Sequence, residues 1–193
     1  VLAGVDDGMG GIDGDQRATY GAVEASSNRI ARALVAEGVG RGDRVALIGD
    51  NSRSYVEAYY GILKAGAVVV SLSVGCDPKT HREILADCGA RAVVCGPKQA
   101  RTVSGLLRFD EIEFVLGPVP PDAGERGAHR TPRIVDPSVV LPAASAEPPQ
   151  VRVIDLDRAA IVYTSGTTGK PRGAVLRHLN LVANTRSIVA YLG

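Results

Sequence analysis

Tryptophan is absent from this 193-residue chain, and only two phenylalanines and six tyrosines occur in it. So few aromatics argue against the stacking platforms that bind single-stranded nucleic acid. No sign of charge dominates either. The 22 Lys and Arg residues face 21 Asp and Glu, a formal net charge of +1, so no field draws in nucleic acid or an anionic membrane. Cysteine is scarce: Cys76, Cys88 and Cys95 are odd in number and fit no disulfide framework. Without a CxxC pair, and with His81, His129 and His178 scattered, no zinc site is expected. The three are read as buried or half-buried free thiols suited to a reducing cytoplasm. No run approaches the about 18 apolar residues of a membrane span, and no basic-then-apolar signal opens the chain. What remains, 45% hydrophobic and 22% charged, is ordinary globular composition. A small-molecule protein is expected.

The chain starts at Val1 rather than Met and stops at Gly193 after an apolar, helix-like stretch, and both ends are expected to be cuts within something longer. Residues 1–15, rich in Gly and Asp, predict a short strand and turn. Thr19 is placed to N-cap a helix with Val23, Ile30, Ala31 and Leu34 on one face and Gly38 as its stop. Arg44 to Gly49 then reads as a strand, and Ser54 with Glu57 as a capping box for a helix ending at Gly66. Ala67 to Leu72 predicts a strand buried on both faces. Thr80 with Glu83 predicts a further capped helix ending at Gly89, followed by a strand over Arg91–Cys95, a helix over Lys98–Leu107 and a strand over Glu113–Leu116. Strands alternating with helices imply an α/β fold, a parallel sheet with flanking helices. Eight of the eleven prolines lie between Pro118 and Pro149, so residues 117–150 are read as a Pro-rich irregular connection and surface linker. Ala159–Tyr163 and Gly173–Leu176 predict two more strands, and Asn180–Leu192 a last helix.

Between those two strands lies Thr164-Ser165-Gly166-Thr167-Thr168-Gly169-Lys170-Pro171-Arg172. Glycines let backbone approach a ligand closely, and successive N–H groups in such a turn converge on anionic oxygens. The hydroxyls of Thr164, Ser165, Thr167 and Thr168 add neutral donors, while Lys170 and Arg172 add charge. Polyphosphate is the natural guest. The stretch is not a Walker A loop, because Thr164 stands where the first Gly should be and Pro171 follows the lysine. Nor is there a dinucleotide fingerprint, since Gly8-Met9-Gly10 is followed by Asp13 where a third Gly belongs.

At these residues the chain resembles the acyl-adenylate-forming superfamily of acyl-CoA synthetases, aryl-acid ligases, luciferases and peptide-synthetase adenylation domains. Ile161 to Gly173 is similar to that family's signature loop without a gap, and Ala174 to Leu181 to its following strand and His-x-Asn helix start. Upstream, Thr19 to Glu24 with Asn28 and Ala31 is similar to its opening helix, and Leu63 to Ala67 to its second core segment. The resemblance implies that residues 1–193 are a partial N-terminal AMP-binding domain. It implies Mg²⁺ and ATP, a carboxylic acid as substrate, and CoA or a carrier-protein thiol as acceptor. Thr164, Ser165, Gly166, Thr167, Thr168, Gly169, Lys170 and Arg172 would bind the triphosphate, with neither a catalytic residue nor a metal ligand of the family in this stretch. The Ser71–Cys76 insertion before Asp77-Pro78 departs from the family pattern and tilts the reading from a peptide-synthetase domain toward a CoA ligase. A truncated, inactive relic and a nucleotide-binding regulator are the readings of a different class. His178 follows the loop too closely to be the family's pocket histidine and is expected to serve structure.

Overall fold

The computed structural model describes residues 9–13, 16–106, 111–119, 132–165 and 171–192. A hairpin of β1 (Met9–Asp13) and β2 (Gln16–Thr19) leads into α1 (Tyr20–Ala36). Then come β3 (Arg44–Ile48), α2 (Arg53–Lys64), β4 (Val68–Leu72), α3 (Pro78–Cys88), β5 (Ala92–Cys95), a 3-10 turn (Pro97–Gln99) and α4 (Ala100–Leu106). After them lie β6 (Phe114–Leu116), β7 (Arg133–Val135), α5 (Pro137–Ala143), β8 (Arg158–Ser165), β9 (Pro171–Arg177) and α6 (His178–Leu192). The α/β architecture is the expected one.

Seven strands form one sheet in the order β7-β6-β5-β3-β4-β8-β9, parallel throughout except for the antiparallel β8–β9 pair. Side chains alternate across the strands, so Val45 and Leu47 join one core with Ile30, Leu34 and Ile62 of α1 and α2. Ala46 and Ile48 join a second with Ile84, Leu85, Val103 and Leu106 of α3 and α4. Strands covered on both faces read as unbroken apolar runs, which is why β3 and β4 were legible.

The caps are less as expected. Thr19 does cap α1, its Oγ1 accepting from Ala22 N at 3.1 Å. At α2 the cap is Ser52, not Ser54: Ser52 Oγ accepts from Tyr55 N at 3.2 Å, and Glu57 instead pairs with Arg53 at 2.7 Å. At α3 it is Asp77, not Thr80. Pro78 presets the first helical φ, and the Asp77 carboxylate accepts from Lys79 N and Thr80 N at 2.9 and 3.1 Å. The Thr80 hydroxyl and backbone bonds hold that carboxyl below its usual range. Gly38, Gly66 and Gly89 stop their helices with φ of 85°, 76° and 60°.

The stretch read as an irregular linker contains two elements. β7 adds a parallel edge strand beside β6, and α5 packs its Val140 and Leu141 on the α1–α2 core. The prolines did not prevent this: Pro137 occupies the first turn of α5, where no intrahelical N–H is needed, and Pro142 lies inside the helix only one residue before its end at Ala143. Farther on, Asn28 Nδ2 donates to Ala146 O at 2.7 Å, and Arg32 donates to Glu147 O and Pro148 O at 2.7 and 3.0 Å. The end of the connection is thus strapped to α1. Residues 120–131 lie outside those described.

Asn28 also belongs to a polar cluster that explains Lys64. Lys64 Nζ reaches Glu24 Oε1 and Ser27 Oγ at 2.7 Å and Asn28 Oδ1 at 2.8 Å, tying α2 to α1. The helices are already close, since a Cβ on Gly61 would stand 2.5 Å from Ile30 Cγ2. Replacing Lys64 by Ala would leave three acceptors without their donor in a low-dielectric seam. The expected loss is about 2 kcal/mol of stability, read as a lower urea midpoint; an unchanged midpoint would mean the cluster is solvated.

Candidate functional site

β8 pairs with β4 through Val69↔Ala160 and Val70↔Ile161, parallel, so its far end lies at the carboxyl edge of the sheet. Open α/β sheets bind ligands along that edge. β8 then turns back as β9, in the register Tyr163↔Gly173, Thr164↔Arg172 and Ser165↔Pro171. The ends of the loop are therefore one strand spacing apart, and five residues span the gap. Those five, Gly166, Thr167, Thr168, Gly169 and Lys170, lie outside the described residues.

Thr164 and Arg172 are direct cross-strand partners, so their side chains leave the same face, and both are exposed. Ser165 ends β8 beside Pro171. The opposite face is partly covered. Tyr163 and Ile161 lie against Gly173, where a Cβ would meet Tyr163 Cζ at 2.9 Å and Ile161 Cγ2 at 2.8 Å. Only glycine fits that position without moving the hairpin. Burial, and then the hydrogen bond to Asp87, push the Tyr163 phenol well above its ordinary range.

The structure separates His178 from the loop. As the first residue of α6 it follows β9 back to the amino edge, where its N–H donates to Asp157 O at 3.1 Å. Seven residues of strand, about 20 Å, lie between. Burial lowers its pKa, against the opposing charge of Asp157. Asn180 Oδ1 accepts from Arg177 N at 2.8 Å, so the His-x-Asn stretch starts a helix.

Two features had no signal in the sequence. A cavity of about 540 Å³ opens between the carboxyl ends of β3 and β5, lined by Leu47, Tyr55, Ala58, Val94, Gln99 and Leu141. The second is the Tyr163–Asp87 hydrogen bond, made across 76 residues. Burial raises the Cys88 and Cys95 thiols to about 11 and about 12, so both stay protonated near neutrality. Among the described residues no group of three or more His, Cys, Asp or Glu could hold a metal ion, and no helix is long and apolar enough to cross a membrane.

A sheet parallel but for its last pair, with helices packed on both faces, makes this a doubly wound α/β protein, a class that takes ligands along its carboxyl edge. The family model for AMP-binding enzymes matches residues 5–192, and the chain belongs to that family. It is 34% identical over 171 residues to a feruloyl-CoA synthase of Amycolatopsis sp, covering 89% of this chain and 30% of that protein. The long-chain-fatty-acid–CoA ligase FadD13 of Mycobacterium tuberculosis is also 34% identical, over 85% of this chain and 30% of the relative. A nonribosomal peptide synthetase-like enzyme of Aspergillus fumigatus, fsqF, is 34% identical over 85% of this chain and 10% of its own length. Among solved structures, the N-terminal domain of FACL13 from Mycobacterium tuberculosis superposes with a TM-score of 0.70 at 32% identity, over 85% of this chain and 38% of that one. Apo MatB from Rhodopseudomonas palustris gives 0.72 at 28%, over 92% and 33%. The chain thus spans about 30% of the length of the two CoA-forming relatives.

Proposed function

We propose that residues 1–193 are a partial N-terminal AMP-binding domain, the front part of a longer ATP-dependent acid–thiol ligase (the parent enzyme), and that they supply its triphosphate-binding loop. The observation that carries this is the run Thr164–Arg172, which closes a hairpin at the carboxyl edge of the sheet. In the reaction, a carboxylate oxygen attacks the α-phosphorus of ATP and the bond to the bridging oxygen of pyrophosphate breaks, giving acyl-adenylate. A thiolate sulfur then attacks the acyl carbon and AMP leaves, giving a thioester. Both reactants of the first step are anions, so positive charge must offset their repulsion and that of the leaving pyrophosphate.

Lys170 and Arg172 supply part of that charge. Thr164, Ser165, Thr167 and Thr168 donate hydrogen bonds, and Gly166 and Gly169 let backbone N–H groups reach the β- and γ-phosphates. Mg²⁺, when bound, would supply further charge neutralisation at the triphosphate, and none of the loop residues named here is proposed as its ligand. The loop positions and stabilises charge; it moves no proton.

CoA is the proposed acceptor, supported by the CoA-forming relatives and by the insertion at Ser71–Cys76. A carrier-protein thiol is the second reading, favoured by the equal identity to the peptide synthetase-like relative. Free thiols at Cys76, Cys88 and Cys95 suit a cytoplasmic enzyme. The test is carboxylate-dependent exchange of pyrophosphate into ATP by the parent enzyme, across fatty, aryl and dicarboxylic acids. CoA and a phosphopantetheinylated carrier are then compared as acceptors. Exchange with none of the acids would replace the ligase reading by that of an inactive relic.

A further inference from the structure

The hairpin that carries the loop runs on past its hydrogen bonding to the rest of the sheet. β8 is bonded to β4 only as far as Ile161, whereas its pairing with β9 continues through Ser165↔Pro171. From Val162 to Ser165 the strand therefore has β9 as its only described ladder partner. A two-stranded ribbon alone is marginal and twists freely. Yet a group that grips phosphate must be held to within a fraction of an ångström, because a misplacement of about 1 Å costs about 10²-fold in rate.

One side chain ties this overhang to a rigid body. The Tyr163 hydroxyl donates to Asp87 Oδ2 at 2.5 Å, while the flank of its ring lies against Gly173 on β9. Asp87 sits in the last turn of α3, which is anchored independently. Ile84 and Leu85 are buried in the core, and the fully buried His81 ring donates from Nε2 to Ser73 O at 2.8 Å. Tyr163 is thus held at its tip by the helix and along its side by the returning strand, immediately before the loop begins at Thr164.

We propose that Asp87 is a positioning residue for the phosphate loop: its carboxylate fixes Tyr163, and Tyr163 fixes the overhanging hairpin in one orientation. The inference rests on the reading of residues 164–172 as the triphosphate loop. Asp87 touches no substrate in this scheme and acts only through Tyr163.

The experiment compares Asp87→Ala, Asp87→Asn and Tyr163→Phe in the parent enzyme, by ATP–pyrophosphate exchange and by thermal melting. Asn keeps an acceptor oxygen for the phenol, and Phe keeps the ring over Gly173 while losing the donor. Asp87→Ala and Tyr163→Phe are expected to raise KM for Mg-ATP about tenfold, with KM for the carboxylate within about twofold and Asp87→Asn within about twofold of the parent throughout. If Asp87→Ala fails to fold, the near-isosteric Tyr163→Phe decides. A lower melting temperature with KM for Mg-ATP unchanged in Tyr163→Phe would overturn the inference, leaving a merely structural bond. Lys170→Ala in the same assay separates the two levels: if it too leaves KM for Mg-ATP and kcat unchanged, the loop reading fails and this inference falls with it.

Discussion

Replacing Lys170 by Ala in the parent enzyme is expected to lower kcat/KM for acyl-adenylate formation by about 10²-fold, equivalent to about 2.7 kcal/mol of transition-state stabilisation. Lys170 immediately precedes Pro171 in the sequence, and Pro171 is registered against Ser165 in the β8–β9 ladder. In the proposed reading its charge stabilises the leaving pyrophosphate. Arginine at this position would keep the charge but change its shape from a point to a planar fork, and is expected to restore only part of the rate. Thr164→Ala, which removes one neutral donor facing Arg172, should cost less, about tenfold. Steady-state exchange kinetics read all three. A Lys170→Ala enzyme within about threefold of the parent would remove the loop from the mechanism.

The 193-residue chain by itself is expected to catalyse no exchange above background, and to self-associate. The loop is the one site element recognised in it, and the chain spans about 30% of the CoA-forming relatives. Grip on β- and γ-phosphates does nothing for the carboxylate or the α-phosphorus, whose alignment provides most of the effective concentration. The surface points the same way. None of the described residues of α6 is buried, and Val162, Val175, Leu179, Val182, Ile188 and Tyr191 are exposed along β8, β9 and α6. Apolar side chains left open on both faces of the hairpin and along α6 favour association. Sedimentation should show oligomers, and pyrophosphate exchange should stay at the blank. A monomer with one sharp melt, or robust carboxylate-dependent exchange, would show that the chain is complete enough to act alone.

Much of this was legible beforehand because it is local. The apolar runs of β3, β4 and β5 follow from burial on both faces, and Thr19 caps α1 because it sits one residue before the helical period begins. Other local signals had competitors. Ser54 and Thr80 each had a Glu three residues on, but Ser52 and Asp77, two and three residues earlier, reached the free N–H groups first. In the proline-rich stretch, composition concealed β7, because three residues are too few to show alternation and its partner β6 lies far back in the chain. The same distance hid the Tyr163–Asp87 bond and the role of Lys64, which reads as an ordinary helix-end lysine until α1 is packed against it.

By itself, the sequence determined the α/β class, the family and the chemistry offered by residues 164–172, since hydrophobic period, turn residues and a run of donors are properties of neighbours along the chain. The tertiary structure alone decided the strand order, the placement of His178 at the amino edge away from the loop, and the Tyr163–Asp87 bond between the loop's hairpin and α3. Those features depend on contacts between residues dozens of positions apart, and such contacts exist only once burial of the two cores has brought the strands into register.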